Sequence, residues 1–306
     1  MVQFRRLDPL ANATPYQRHV KRPVKSFSLS EAAYNRIEQR RPALIVIEDE
    51  SAVVGRPHRD FLEVHYAFPD VPAFRHRFNE LFERCTEASS KEEAPRGVVI
   101  PFRDRPNRAL AEQLFWDAAL DEAGQWVELD WPAVPEMPEP PATLEGGYLV
   151  REAAEADRDA IAGLEAEVTG LPRLTDGGID SIYEDANWLR LVTTASGVPV
   201  GYLSLRREPG GWGILDQVYL LAAVAKELRR PVYEWAVAFL RNNGGRRQRR
   251  RAYLDDADEV GLLRELGFQP AETGIDYTRP VDRNEVKQKV EERQAHGTLI
   301  KFGDWR

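Results

Sequence analysis

The chain has 306 residues, and its 42 Lys and Arg residues against 50 Asp and Glu residues give a formal net charge of −8. The length predicts two domains, since a domain holds about 100–200 residues, and the acidic balance argues against a globally basic nucleic-acid-binding protein. The single cysteine, Cys85, excludes an intramolecular disulfide and a multi-cysteine metal cage.

The first half of the chain is predicted to alternate strands and helices. Leu62, Val64, Tyr66 and Phe68 alternate along one strand, which places them on one face. The predicted strands are Ala43–Ile47, Asp60–Phe68, Gly97–Phe102 and Gln125–Trp131. One helix is predicted near Ala73–Glu87, and a second begins at about Asn107. The first helix has an apolar side formed by Phe74, Phe78, Leu81, Phe82 and Cys85.

A proline-rich segment, 132–147, marks the plainest boundary. Prolines cannot donate ladder hydrogen bonds and disfavour helix, so this segment is predicted to be a semi-rigid, extended linker. It separates a predicted domain at 1–131 from a second at 148–281, which is followed by a C-terminal helical arm at 282–306.

The second half has clearer element signals. Three strand-forming runs with tight turns predict an antiparallel meander. The predicted strands are Tyr148–Glu152, Trp188–Thr194, Val198–Arg206, Trp212–Leu221, Arg251–Leu254 and Glu272–Arg279, and the helices begin after Asp157, at Pro231 and after Asp255 or Asp256. The order is β-α-β-β-β-α-β-α-β, and the first half repeats it without the opening strand and helix, which predicts an internal duplication with mixed sheets.

Two further segments have two interpretations each. Residues 206–251 carry 11 basic and 4 acidic side chains, including Arg246–Arg251; we expect either a solvated loop before a strand or a site for an anionic partner. The arm has only Val286 and Val290 as an apolar stripe, so it either packs on its own chain or forms a homodimer contact.

Two motifs carry a family resemblance. The segment Val198–Leu203 precedes a turn, and Leu262–Phe268 reads Leu-Leu-Arg-Glu-Leu-Gly-Phe. With the order of elements, they make Tyr148–Val281 resemble a GCN5-related N-acetyltransferase (GNAT) domain. The first half resembles a shorter form of the same fold. The resemblance implies two GNAT-like domains in tandem, each a mixed, mostly antiparallel α/β (α+β) sheet flanked by helices, with acetyl-CoA as co-substrate and a small-molecule or peptide amine as acceptor.

The resemblance also assigns cofactor-binding residues. The strand that pairs with pantetheine falls on Gln217, Val218, Tyr219 and Leu220. The phosphate loop falls on 224–231, but no glycine lies between Gly213 and Gly244, so the usual nest of backbone amides cannot form. The cations Lys226, Arg229 and Arg230 are predicted to bind the phosphates in its place.

The catalytic groups implied by the resemblance are incomplete. Leu263 stands where the family often has a tyrosine acid, and Tyr253 is a conceivable substitute. Asp216 is the carboxylate placed to act as general base; its alternative is a solvent-facing strand residue. Trp212, beside a glycine turn, is the candidate for substrate contact.

Other site types find little support. The five histidines lack metal-ligand spacing, so no metal is expected. No apolar run approaches the roughly 18 residues of a membrane span, and the basic N-terminus lacks the apolar segment of a secretory signal, so we expect a cytoplasmic protein. The first half lacks the phosphate loop and is predicted to be structural. The sequence thus favours an acyl-CoA-dependent N-acyltransferase; the alternative is a catalytically silent GNAT-like binding or scaffold protein.

Overall fold

The structure is a computed structural model that describes residues 24–26, 29, 31–92, 95–103, 107–282 and 284–293. The chain divides into two units: unit 1 consists of residues 1–124 and 274–306, and unit 2 of residues 125–273. These units differ from the predicted domains at both closing strands. Residues 125–131 lie in unit 2, and residues 274–281 lie in unit 1.

Strands and helices alternate through both units. In chain order the elements are β1 (Val24–Lys25), α1 (Glu31–Arg40), β2 (Ile45–Glu48), β3 (Ser51–His58), β4 (Phe61–Phe68), α2 (Val71–Glu92), β5 (Gly97–Phe102), α3 (Arg108–Asp117), β6 (Asp121–Trp131), β7 (Leu149–Glu152), α4 (Arg158–Thr169), α5 (Asp176–Asp185), β8 (Trp188–Thr193), β9 (Pro199–Glu208), β10 (Trp212–Leu220), α6 (Ala222–Asn242), β11 (Arg247–Tyr253), α7 (Ala257–Leu266), β12 (Gln269–Pro280) and α8 (284–293).

The sheet of unit 1 has the order β2-β3-β4-β5-β12, in which only β4 and β5 are parallel. Its core is an aromatic cluster, because the predicted apolar side of α2 packs onto the sheet. The predicted positions Phe74, Phe78, Leu81, Phe82 and Cys85 are all completely buried, which confirms that side of the helix. Burial raises the pKa of the Cys85 thiol to about 12, so Cys85 is an inert core residue.

The sheet of unit 2 has the order β7-β8-β9-β10-β11-β6, in which only β10 and β11 are parallel. One core cluster packs α6 and α7 on the sheet, and a second packs α4 and α5. Each unit therefore contains a three-stranded antiparallel meander, a long helix and a strand that returns parallel to the meander's last strand. This shared order confirms the predicted mixed α/β architecture and its internal repeat.

The sequence patterns missed β1, α1, β3 and α5 and shortened α6; the first half therefore does have a strand and a helix before its meander, contrary to the prediction. Gly55 and Pro57 interrupt the apolar pattern of β3. Helix α5 has glycines at its second and third positions, and its cap residue is Thr175, whose hydroxyl oxygen accepts a hydrogen bond from Gly178 N at 3.1 Å. The sequence predicted that α6 starts at Pro231, because proline favours the first helical turn, but the helix begins at Ala222 and contains Pro231.

The proline-rich segment forms no helix or strand over 132–142, and it packs within unit 2. Trp235 Nε1 on α6 donates to Pro141 O at 2.9 Å, and Arg241 Nε donates to Val134 O at 2.9 Å. Val134 and Leu144 are buried in the α6–α7 core cluster. Proline carbonyls accept hydrogen bonds although the ring nitrogen donates none, so this segment can bind along a helix without forming a strand.

The described part of the C-terminal arm packs within unit 1. Arg293 on α8 donates to Trp116 O and pairs with Asp121, and its guanidinium lies 4.0 Å from the centre of the Trp116 ring. Lys289 also pairs with Asp121. These contacts support the interpretation that the arm packs on its own chain; a homodimer contact through the arm stays a prediction.

Two glycines, one inside α7 and one directly after it, are expected to change the free energy of unfolding in opposite directions when each is replaced by alanine. Gly267 has a φ of +116°, and an added Cβ would lie 2.9 Å from Trp131 Cζ2. Gly267→Ala is expected to destabilise the protein by about 1–3 kcal/mol because the left-handed backbone and the contact are both unfavourable. Gly261→Ala, inside α7 with nothing within 4 Å of the added methyl, is expected to stabilise it by up to about 1 kcal/mol. Urea unfolding measures both; shifts of the same sign would contradict the assigned conformation.

Candidate functional site

Two strands of unit 2 part at one point in the sheet. The parallel ladder of β10 with β11 runs from Trp212↔Arg247 to Leu215↔Arg250 and ends there. The antiparallel ladder of β10 with β9 continues to Leu220↔Gly201, with a β-bulge between Leu215 and Gln217. A bulge bends and twists its strand, so it turns β10 away from β11. We call the resulting gap, bordered by Gln217–Leu220, the notch.

The backbone of β10 faces the notch at two of the residues predicted to bind pantetheine. Leu221 N donates to Val200 O on β9 at 2.9 Å. Because backbone groups alternate in direction along an antiparallel strand, Tyr219 also faces β9, whereas Val218 and Leu220 present their N–H and C=O groups to the side that β11 has left. Among the described residues no hydrogen-bond partner meets those groups there.

Helix α6 begins directly beyond the notch and occupies the place of the predicted phosphate loop. Its first residues are Ala222 and Ala223, both exposed, and the cap residue Leu221 offers no side-chain hydrogen bond. A helix start carries bare N–H groups and partial positive charge. Lys226, one turn later, is exposed and makes no ion pair within the described part of the chain.

The other two predicted phosphate ligands are engaged elsewhere. Arg229 Nη1 donates to Asp256 Oδ1 at 2.8 Å, and Arg230 pairs with Glu265 and, at 3.6 Å, with Glu234. Both arginines therefore contact acidic residues of α6 or α7. Their predicted role would require these ion pairs to break, which leaves Lys226 as the cation best placed for an anion at the start of α6.

A buried charge cluster lies at the apex of the notch, where the β10–β11 ladder ends. Arg250 Nη1 donates to Leu215 O at 3.2 Å and to Asp216 O at 2.6 Å, and Arg250 Nε donates to Glu259 Oε1 at 2.8 Å. The Tyr233 hydroxyl donates to the same carboxylate oxygen. The side chains of Arg250 and Glu259 are 12% and 11% exposed. We call Arg250, Glu259 and Tyr233 the apex cluster.

Burial and pairing decide the charge states in the apex cluster. Burial alone would lower the pKa of Arg250, but the Glu259 carboxylate outweighs it, so the pKa is raised and the guanidinium stays charged. Burial raises the pKa of Tyr233 well above its usual range, so its hydroxyl keeps its proton. Sequence reasoning missed this cluster because its members come from α6, β11 and α7, and no motif links them.

A second buried polar group lies on the α4–α5 side of the sheet. The Tyr202 hydroxyl donates to the Glu165 carboxylate and lies 2.8 Å from Gln217 Oε1. Asp216, the candidate base, accepts from Arg206 Nη2 at 2.9 Å and is part-buried. Asp216 is therefore not the solvent-facing strand residue of the alternative interpretation. A base at Asp216 would act from within its ion pair with Arg206.

The remaining predicted site residues lie on either side of the point where the β10–β11 ladder ends. Trp212, at the first pair of the β10–β11 ladder, has the guanidinium groups of Arg247 and Arg249 at 4.8 and 4.5 Å from its ring centre. Tyr253 ends β11 and is 46% exposed. Tyr253 therefore stands on β11 beyond the end of the ladder, whereas Trp212 lies at the other end of the ladder. Substrate contact by Trp212 and acid catalysis by Tyr253 stay predictions.

The arginine run is not a solvated loop before a strand, and two of its arginines, Arg249 and Arg250, are paired with carboxylates. Residues 247–253 form β11 itself. Arg249 pairs with Asp130 at 2.7 Å and with Glu128 at 3.2 Å, while Arg250 belongs to the apex cluster. The acidic strand β6 beside β11 supplies the compensating charge that the sequence pattern did not reveal.

In unit 1, β4 parts from β5 as β10 parts from β11 in unit 2, but strand β1 lies in the gap. The β4–β5 ladder covers only Phe61–Glu63, whereas β1 pairs with β4 at Ala67 and Phe68. Ser26 N donates to Tyr66 O at 3.1 Å, and Tyr66 N donates to Ser26 Oγ at 3.0 Å. Since β3 covers the other edge of β4, β1 occupies the edge that β5 leaves, which supports the prediction that this half is structural.

Metal sites and membrane-spanning helices are both absent from the described residues. No group of three or more His, Cys, Asp or Glu side chains that could hold a metal ion occurs in the described ranges. No helix described for this chain is long and apolar enough to cross a bilayer.

Glu259 should matter more to stability than any surface carboxylate on the same helix. Glu259→Gln would leave Arg250 buried without a counter-charge, and breaking a buried ion pair costs about 3–5 kcal/mol. Glu265→Gln, which removes an exposed partner of Arg230, is expected to cost under about 1 kcal/mol. Urea denaturation followed by tryptophan fluorescence compares the two variants, and equal losses would show that the apex cluster is not buried.

Comparison with known proteins places this geometry in a fold. A scan against models of protein families gives no match, and a search of curated proteins gives none either. Solved structures do match: a GCN5-related N-acetyltransferase from Sphaerobacter thermophilus has 16% identity and a TM-score of 0.52, with 76% of each chain covered. An inferred acetyltransferase from Pyrococcus horikoshii has 10% identity and a TM-score of 0.52, with 81% of this chain and 78% of that chain covered. The chain therefore has the GNAT fold.

Proposed function

We propose that unit 2 binds an acyl-coenzyme A, with acetyl-CoA as the first candidate, in the notch and transfers the acyl group to an amine. The observation that carries this proposal is the pair of backbone groups at Val218 and Leu220, which face the side that β11 has left. An extended ligand with amide bonds can pair with a strand edge as another strand would. The pantetheine arm has two amides and suits such an edge.

The start of α6 is suited to the diphosphate of coenzyme A. A diphosphate following the arm would reach Ala222 and Ala223, whose methyl side chains leave their N–H groups accessible. Helix starts favour anions through these groups and through the helix dipole. Lys226 adds a compact cation one turn away. This arrangement needs no glycine, because the amides come from a first helical turn rather than from a loop.

The chemistry that the site supports is mainly positioning. Holding an amine against a thioester converts a bimolecular reaction into an effectively unimolecular one. The acceptor would lie beside the bulge, near Asp216 and Gln217. The amine's proton would pass to water or to Asp216 if the acceptor displaces Arg206 from it.

One observation favours the alternative, a catalytically silent binding or scaffold protein. Arg229 and Arg230, the cations that the sequence offered for the phosphates, are both bound to carboxylates. A chain that has lost cofactor binding would be free to use them in this way.

A substitution at the start of α6 separates the two functions. Ala223→Glu places a carboxylate among the N–H groups that would hold phosphate; it suits the helix but repels the ligand. Calorimetric titration with acetyl-CoA is expected to show binding by the unmodified protein and at least about tenfold weaker binding, or about 1.4 kcal/mol, by this variant. Ala223→Gln is the neutral control of the same size, and Lys226→Ala is expected to weaken binding in the same direction.

The outcome distinguishes the proposals because folding is measured separately. A folded protein that does not bind acetyl-CoA at millimolar concentration would reject cofactor binding and favour the silent scaffold. Binding without thiol release on addition of a panel of primary amines would reject transfer to those amines while keeping the cofactor site.

The two units also predict a stoichiometry. Since β1 is paired where unit 1 would take a ligand strand, the protein is expected to bind one coenzyme A per chain. Titration to saturation measures this number. Two equivalent sites per chain would contradict the assignment of unit 1 as structural.

A further inference from the structure

The length of the pantetheine arm identifies the residues that its sulfur would reach. Between phosphorus and sulfur the arm is slightly longer than four residues of extended peptide, roughly 14–16 Å. If its phosphate lies at Ala222 and the arm runs back along β10, the sulfur lies level with Gln217 or Val218. Asp216, whose carbonyl oxygen accepts from Arg250 at 2.6 Å, is the next residue.

The side chain beside Asp216 O is that of Arg250, a cation held by three hydrogen-bond acceptors. Arg250 is held by the carbonyl oxygens of Leu215 and Asp216 and by the Glu259 carboxylate. Its side chain is 12% exposed, so part of the side chain meets solvent. A guanidinium fixed in this way loses little further freedom when a ligand arrives, and a charge in a partly buried site acts more strongly than one in water.

We propose that Arg250 is a catalytic residue of unit 2, whose guanidinium stabilises the coenzyme A thiolate that leaves when the thioester is cleaved. This inference rests on the proposed function. It assigns the leaving-group role to a charge rather than to a proton donor.

The reaction balances without another reagent. The amine nitrogen attacks the thioester carbonyl carbon, the carbon–sulfur bond breaks, and the electron pair stays on sulfur as a thiolate beside Arg250. The amine loses its proton to water, and the thiolate takes a proton from water after release. Arg250 keeps all its protons, since a guanidinium is not deprotonated in proteins.

The neighbouring groups are less suited to this role. The Tyr233 hydroxyl donates a hydrogen bond to Glu259, and the position that the resemblance gives to an acid holds Leu263, a completely buried side chain with no acidic proton. A thiolate is a stable leaving group beside a cation, as lowered pKa values of cysteines next to arginine show. The chain therefore has an electrostatic substitute for the missing acid.

The test titrates the thiol of bound coenzyme A by its thiolate absorbance and needs no acceptor amine. The unmodified protein is expected to lower the pKa of that thiol by about one unit or more, a tenfold or larger change in the thiolate equilibrium. The double variant Arg250→Met with Glu259→Gln removes both charges of the pair and is expected to abolish the shift. Arg249→Met with Asp130→Asn, a paired arginine on the same strand, is the matched control and is expected to retain it.

Binding of desulfo-coenzyme A, measured in parallel, separates the two proposals. If the unmodified protein binds this analogue but shows no thiol shift, or if the double variant keeps the shift, Arg250 has no such role and the cofactor site stands. If the unmodified protein binds neither compound, the proposed function fails and this inference fails with it. Should the double variant not fold by circular dichroism, Arg250→Lys decides: its shorter cation is expected to retain only part of the shift, and a full shift would overturn the proposal.

Discussion

The parting of β10 from β11 is the constraint on which the rest of unit 2 depends. Parallel strands that diverge expose backbone groups, and buried or half-buried groups of this kind must find partners. At the apex the carbonyls of Leu215 and Asp216 are satisfied by the Arg250 side chain instead of by a strand. Arg250 can remain there only because Glu259 supplies its counter-charge, and Glu259 is placed by the first turn of α7, which Asp256 caps.

The same divergence has two outcomes in one chain. In unit 2, β10 leads straight into α6, and the backbone of Val218 and Leu220 faces the gap. In unit 1, β4 meets β1, and the gap is closed by Val24 and Lys25. A strand edge can be satisfied by a ligand's amides or by peptide, so a duplicated fold can keep its architecture in both copies while only one keeps room for a ligand. The fold alone therefore says little about how many sites a tandem chain has.

Most strands were predictable because their apolar residues alternate or run together between glycine and proline turns, as in β5 and β8–β10. The misses have local causes. The sequence predicts a helix start at Pro231, but Pro231 lies within α6. Its missing N–H costs one hydrogen bond, which the packing of Leu228, Val232 and Trp235 compensates. The strand positions of the candidate site were predictable from the resemblance. The partners of Arg229 and Arg230 were not, because ion pairs between segments far apart in the sequence leave no pattern.

The charge of residues 206–251 shows why net charge is a poor guide to a ligand. Its excess of cations suggested an anionic partner, but Arg229, Arg230, Arg249 and Arg250 are each compensated by a carboxylate from another element. Compensation does not make the four equivalent. An exposed pair such as Arg230–Glu265 contributes little, since water screens it, whereas Arg250 acts from a site where 12% of its side chain meets solvent. Position relative to the notch, rather than the number of cations, decides which arginine can influence a reacting sulfur.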